Sequence, residues 1–228
     1  MCGRYGFISS SEDLHRQWGA FRQLELFPPS YNRAPGQVHP VLRLAADLSL
    51  ELVPMRWGFI PHWGAQSKVL PINARAESIT LQPLFRDAFR SRRALIPADW
   101  FYEWAFDPDD PADKQPMLLR AQDHRILALA GIWDRHRRAD GREEETFAIL
   151  TVPALPAVAR VHGRMPLVLD PRHWPIWWHP KAHRSHLQPC LQPETFPWEI
   201  VPVSPRVNRA AHDGPECIAP WNASSPSG

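Results

Sequence analysis

The chain has 228 residues, a formal net charge of +2, 44% hydrophobic residues and 22% charged ones, which fits one globular domain with a substantial core and excludes a disordered chain. No run of about 18 apolar residues occurs, so no membrane-spanning helix is expected, and the opening MCGRYGFISSSEDLHRQ lacks the basic and then apolar regions of a secretory signal. Cys2, Cys190 and Cys217 form no CxxC pair, which points away from a disulfide framework and towards a reduced, cytoplasmic setting.

Residues 9–17 read as a first helix, with Ser9 and Glu12 or Ser10 and Asp13 at capping-box spacing. VHPVLRL (38–44) and LELVPMRWGF (50–59) read as strands, the second placed near a sheet edge by Pro54. TLQPLFRDAFRS (80–91) carries Leu81, Leu84, Phe85, Ala88 and Phe89 at helical spacing. RALIPADWFYEW (93–104), ILALAGIW (126–133), TFAILTV (146–152) and PLVL (166–169) read as strands or strand ends, with a hairpin turn at Asp140-Gly141. PALPAVARVH (153–162) reads as a short helix. The 26 prolines, spread throughout, favour many short elements over long helices. Beyond 209 the chain is rich in Pro, Ser and Gly and is expected to be a C-terminal loop or tail, leaving 1–208 as a single domain. The expected fold is α+β, built on mostly antiparallel sheet.

Several residues stand out chemically. The 26 basic residues include only three lysines, Lys68, Lys114 and Lys181; arginine suits phosphate binding and ring stacking, although a GC-rich coding sequence produces the same bias. Acid is concentrated at 107–113 and 143–145, which leaves other surfaces net basic. Cys2 becomes the terminal residue if Met1 is removed. It then carries an amine and a thiol on adjacent carbons, able to condense with an aldehyde to an imine and close a five-membered thiazolidine. The reference pKa of an α-amine leaves roughly a tenth of it as free nucleophile at pH 7. A cysteine at position 2 taken alone is equally an accident of sequence.

In INARAE (72–77), Asn73, Arg75 and Glu77 alternate and share a face if extended, which suits a phosphate or sugar, with a structural polar network as the other reading. Glu103 lies among the aromatics of DWFYEW, where an apolar wall raises a carboxyl pKa towards neutrality; a solvent-facing Glu is the alternative. His162 sits beside Gly163 and Arg164 at a helix–strand junction, in either a functional or a structural role. His173, His179, His183, His186 and Cys190 match no zinc-ligand spacing, and Trp174, Trp177 and Trp178 there read as a helix packing its aromatic side.

Taken together, MCGRY (1–5), YNRAPGQ (31–37), MRWGFIPHWG (55–64), INARAES (72–78), RRALIPADWFYEW (92–104), FAILTVPA (147–154), VHGRMPLVL (161–169) and VN (207–208) resemble the SOS response-associated peptidase (SRAP) family, in the family's order. The resemblance implies a barrel-like β core flanked by short helices, with a DNA channel ending at the N-terminus. It also implies a sensor and shield of abasic sites in single-stranded DNA, which crosslinks covalently through Cys2 after loss of Met1, with associated lyase activity and self-processing. By the same resemblance, Asn73 positions the opened sugar and Cys2. Glu103 is the general acid/base, and His162 assists ring opening and crosslink reversal. Arg4, Arg75 and Arg164 contact phosphate. Arg33, Arg56 and Arg75 with Trp57, Phe59, Trp63 or Trp100 are the candidates for a basic groove with stacking surfaces, Trp63 foremost. A monomer with no cofactor and no metal is expected. The stretch AQSKVLP (65–71) is short for the family. A cysteine peptidase or N-terminal-nucleophile hydrolase built on Cys2, His162 and Glu103, or a non-covalent single-strand binding module, are the rival functions.

Overall fold

The computed structural model describes residues 2–64, 70–106 and 114–221. The acidic stretch 107–113, most of 65–71 and the last seven residues lie outside them. Among the described residues, thirteen strands run in chain order: β1 (Arg4–Phe7), β2 (Arg22–Gln23), β3 (Ser30–Arg33), β4 (Val38–Leu44), β5 (Leu50–Trp57), β6 (Asn73–Arg75), β7 (Arg93–Ala98), β8 (Trp100–Phe106), β9 (Lys114–Ala121), β10 (Leu127–Arg137), β11 (Glu143–Pro153), β12 (Arg164–Pro166) and β13 (Trp198–Pro202). The described residues also form five short helices: α1 (Ser11–Trp18), α2 (Pro83–Ser91), α3 (Pro156–Ala159), α4 (Trp174–Trp178) and α5 (Arg184–Leu187). No helix of the described residues is long and apolar enough to cross a membrane.

One sheet runs β12-β11-β10-β7-β4-β5-β2, and a parallel pairing of Thr146 with Arg56 and Phe147 with Trp57 joins β11 back to β5. That pairing closes β11-β10-β7-β4-β5 into a barrel, which removes the edges an open sheet would present. The second sheet, β13-β9-β8-β1-β3, is entirely antiparallel. The expected α+β architecture, a mostly antiparallel barrel with short helices around it, is the one the chain adopts.

Local chemistry accounts for the elements. Ser10 caps α1 and forms a capping box with Asp13, satisfying donors that the first turn leaves open. The β10–β11 hairpin turns at Gly141, whose φ of 83° favours glycine. Pro54 does not itself lie on an edge, although β5 neighbours the end strand β2. On one side β5 pairs with β4, and on the other with β2 at residues 51 and 52 and with β11 at residues 56 and 57. Pro54 falls in the gap between those two pairings and faces Pro40 across β4, so its missing N–H is not called upon. Trp177 of α4 is fully buried. The guanidinium of buried Arg93 donates to the carbonyls of Phe89, Trp177 and His179, tying α2 and α4 to the barrel.

The N-terminal strand is held firmly. Tyr5 and Phe7 enter the main core. The Tyr5 hydroxyl lies 3.0 Å from Nδ1 of His39, whose Nε2 lies 3.0 Å from the Ala34 carbonyl. Burial lowers the His39 pKa to about 3, so the ring is neutral, with Nε2–H donating to the carbonyl and Nδ1 accepting from the hydroxyl. Gly6 has Trp100 packed against it; a Cβ there would come within 2.0 Å of the indole.

Residues 209–221, expected as loop, pack against the domain. Asp213 Oδ1 accepts from Ser30 Oγ and from the backbone N–H groups of Tyr31 and Asn32. The buried Asn32 amide donates to the carbonyls of Val207, Arg209 and His212, and Cys217 is fully buried.

Candidate functional site

The β1–β8 register sets the site. Arg4 pairs with Tyr102 and Tyr5 with Phe101; extended towards the terminus, the same register brings residue 3 opposite Glu103 and residue 2 opposite Trp104. Alternation along β8 puts Phe101 and Glu103 on the main-core face, while Trp100 and Tyr102 enter a second cluster with Leu118, Val203 and Val207. Glu103 is therefore a carboxyl on an apolar face, only 2% exposed. Burial raises its pKa above the ordinary glutamate value.

Cys2 is fully buried, and its thiol lies 3.9 Å from the Arg4 carbonyl. Burial first, and the neighbouring Glu103 carboxylate second, push the thiol well above its ordinary pKa. From the opposite wall, β6 pairs in parallel with β11, Asn73 facing Ile149. Its side-chain amide donates to the Cys2 carbonyl at 2.8 Å. The buried Asn73 Oδ1 has no hydrogen-bond partner among the described residues.

Two clefts share Trp104. The larger, 770 Å³, is lined by Glu103, Trp104, Lys114, Arg160 and His162 among others. The smaller, 340 Å³, is lined by Gly3, Arg4, Pro35, Ile72, Trp104 and Asn208. Trp104 donates its indole N–H to Asn208 Oδ1 at 2.7 Å, and Arg4 donates to the Val207 carbonyl at 2.9 Å. Cys2, Asn73, Glu103, His162 and Arg4 thus converge. Trp104 was not singled out in the sequence; its position next to Glu103, on the other face of the same strand, was the available signal.

The remaining candidates are placed differently. Arg75 is exposed, near enough to Glu77 for its charge to help lower that carboxyl's pKa. Glu77 does not share its face: β6 ends at Arg75, and Glu77 stands on the following 3-10 turn, where it forms a bidentate pair with Arg164 at 2.7 and 3.0 Å. Trp63 is 46% exposed, next to His62, which is anchored by Asp134, but it lines neither cleft. Trp57, Phe59 and Trp100 are core residues, and Arg33 is buried with its guanidinium on the Pro28 carbonyl. Arg56 is paired with Glu144. Of that groove set, only Arg75 and Trp63 present free surface. Among the described residues no group of three or more His, Cys, Asp and Glu is placed to hold a metal.

These features define a closed-barrel α+β domain with a polar site built around its second residue, Cys2. The chain belongs to the SOS response associated peptidase (SRAP) family, whose family model matches residues 1–210. It is 35% identical over 225 residues to the abasic site processing protein YoqW of Bacillus subtilis (strain 168), covering 96% of this chain and 99% of that one. It is 29% identical over 230 residues to the abasic site processing protein YedK of Escherichia coli (strain K12), covering 96% and 100%. Among solved structures, a protein from Bacteroides thetaiotaomicron superposes with a TM-score of 0.83 at 21% identity, covering 97% of this chain and 100% of that one, a likeness of fold. A phage-related protein from Bordetella bronchiseptica does so with a TM-score of 0.73 at 30% identity, covering 89% and 94%.

Proposed function

We propose that the chain processes abasic sites in single-stranded DNA by bonding covalently to the lesion through Cys2, once Met1 has been removed. The observation that carries this reading is the 2.8 Å hydrogen bond from Asn73 to the Cys2 carbonyl, which fixes residue 2 beside a buried carboxyl with a raised pKa. The relatives named as abasic site processing proteins support the substrate class.

In this reading the α-amine of Cys2 attacks the aldehyde of the opened deoxyribose. Glu103, whose pKa burial raises, gives a proton to the carbinolamine hydroxyl, and water leaves an iminium behind. The thiol then adds to the iminium carbon, and its proton returns to the Glu103 carboxylate. Aldehyde and cysteine become thiazolidine and one water. The thiol's raised pKa suits this order, since the amine is the group available first. The imine is also the species open to β-elimination and strand scission, so ring closure by sulfur protects the strand. His162 moves protons during sugar opening and reversal. Asn73 Oδ1 is an acceptor suited to a hydroxyl of the opened sugar. Arg4 and Arg75 serve phosphates, while the Arg164 guanidinium is engaged by Glu77 and Thr151, and Trp63 offers a stacking surface. The protein acts as a monomer, without a cofactor, in the compartment that holds DNA.

A peptidase would require an activated thiolate, whereas burial and Glu103 hold this thiol protonated. The test is incubation with single-stranded DNA carrying one abasic site, followed by denaturing electrophoresis. An adduct in the wild type that is lost in Cys2→Ala, and lost when one residue precedes Cys2, supports the proposal. Salt-reversible binding alone, equal in all three proteins, overturns it.

A further inference from the structure

Nδ1 of His162 lies 3.0 Å from the backbone N–H nitrogen of Arg164 and also 3.0 Å from the Arg164 carbonyl oxygen. A neutral ring with Nδ1 bare accepts from that N–H, and its proton then sits on Nε2. A doubly protonated ring donates from Nδ1 to the carbonyl. One residue's main chain therefore serves His162 in both protonation states without a ring rotation. The device works only while the Arg164 backbone stays within a few tenths of an ångström of its place.

The Arg164 side chain supplies part of that fixity. Its Nε lies 3.3 Å from Thr151 Oγ1, and Nη2 donates to the Thr151 carbonyl at 2.7 Å. Nη1 and Nη2 grip the two oxygens of Glu77. Four of the five guanidinium N–H groups are thereby engaged on two separate elements, β11 and the turn after β6. The Arg164 hydrogen bond holds the Glu77 carboxyl below its ordinary pKa, so the pair stays ionised at neutral pH. Glu77 itself is half-exposed and lines neither of the two clefts.

We propose that Glu77 is a positioning residue for His162, acting through the bidentate pair with Arg164 that holds the Arg164 peptide against the imidazole. The inference rests on His162 being the proton carrier of the proposed abasic-site reaction, and its structural part is testable without that reaction.

The experiment compares wild type, Glu77→Gln and Glu77→Asp in two measurements. The first is the long-range 1H–15N spectrum of the imidazoles, with the His162 signals assigned by their loss in His162→Ala. The second is single-turnover crosslinking to abasic single-stranded DNA over a range of DNA concentrations. The expected result is one set of His162 imidazole signals in the wild type, with Nδ1 hydrogen-bonded to the Arg164 main chain, and a shifted or heterogeneous set in Glu77→Gln. The limiting rate falls about tenfold, as small misplacements of a reacting group do, while the half-saturating DNA concentration is unchanged, and Glu77→Asp recovers part of both. An unaltered His162 spectrum in Glu77→Gln overturns the proposal. So does a change confined to the half-saturating concentration, which would make Glu77 a competitor of phosphate for Arg164. If the wild type forms no adduct, the functional reading falls, and the spectra alone decide the positioning role.

Discussion

The side-chain amide of Asn73 donates to the main-chain carbonyl of Cys2 across 2.8 Å, so a strand paired to the barrel holds the residue that follows Met1. Most of the value of such a bond lies in placement. Asn73→Ala removes both this donor and the buried Oδ1 acceptor. It is expected to slow crosslinking by roughly 10- to 100-fold at saturating DNA, with a loss of stability of only about 1 kcal/mol. Single-turnover rates and a chemical denaturation curve measure the two effects separately.

Glu103 makes a prediction in pH. Its pKa is raised above the ordinary glutamate value, first by burial. The stability it contributes is therefore present in full below that ordinary value and is lost as pH rises through the raised one. Glu103→Gln has no charge to bury. Its thermal midpoint should gain on the wild type as pH goes from about 5 to 8, while crosslinking falls by roughly a hundredfold. Parallel melting curves that keep a constant gap across this range would contradict the raised pKa.

Exposed Arg75 and paired Arg56 should behave differently on DNA. Arg75→Gln is expected to lower the slope of log affinity against log salt by about 0.7, the amount for one phosphate contact on a single strand. Arg56→Gln, whose side chain is engaged with Glu144, should leave that slope unchanged. Fluorescence anisotropy with undamaged single-stranded DNA over a salt series checks both.

Asp213 fastens the C-terminal segment to β3 through three hydrogen bonds to one oxygen, just after Val207, whose carbonyl receives Arg4, and Asn208, which receives Trp104. Asp213→Ala is expected to cost roughly 1–2 kcal/mol, modest because the aspartate is exposed, and to slow crosslinking as Trp104 loosens. Denaturation with urea gives the first quantity and adduct formation the second.

How much of this was legible in the chain differs by element. Period and capping chemistry are local, so the hairpin at Gly141 and α1 could be read directly, the latter with two cap pairs open of which the structure uses Ser10 and Asp13. Strands β9 and β13 could not: Pro116 and Pro202 interrupt them, and they exist because they pair with each other and with β8. Pro54 was read as placing β5 near an edge; that β5 neighbours the end strand β2 and that Pro54 fills the gap between β2 and β11 are tertiary facts. Cys2, Asn73, Glu103 and His162 were recognisable by chemistry and by family resemblance, and the structure brings them together. The same resemblance offers no way to see that Glu77 leaves the face of Asn73 and Arg75 for the fork of Arg164, or that Trp57, Phe59 and Trp100 are used up in the core. Composition after 209 likewise hides Asp213 and Cys217, two single residues that dock a Pro-rich segment.

The central claim is that the terminal amine and thiol of Cys2 together close a ring on the lesion. Its most direct measurement is the intact mass of the adduct formed with an abasic single-stranded oligonucleotide, taken with and without borohydride. The account predicts a protein beginning at Cys2, joined to the DNA with loss of one water, and no gain of two hydrogens on reduction, because a thiazolidine has no imine to reduce. An adduct that retains Met1, maps to a lysine, or gains two hydrogens under borohydride would contradict it.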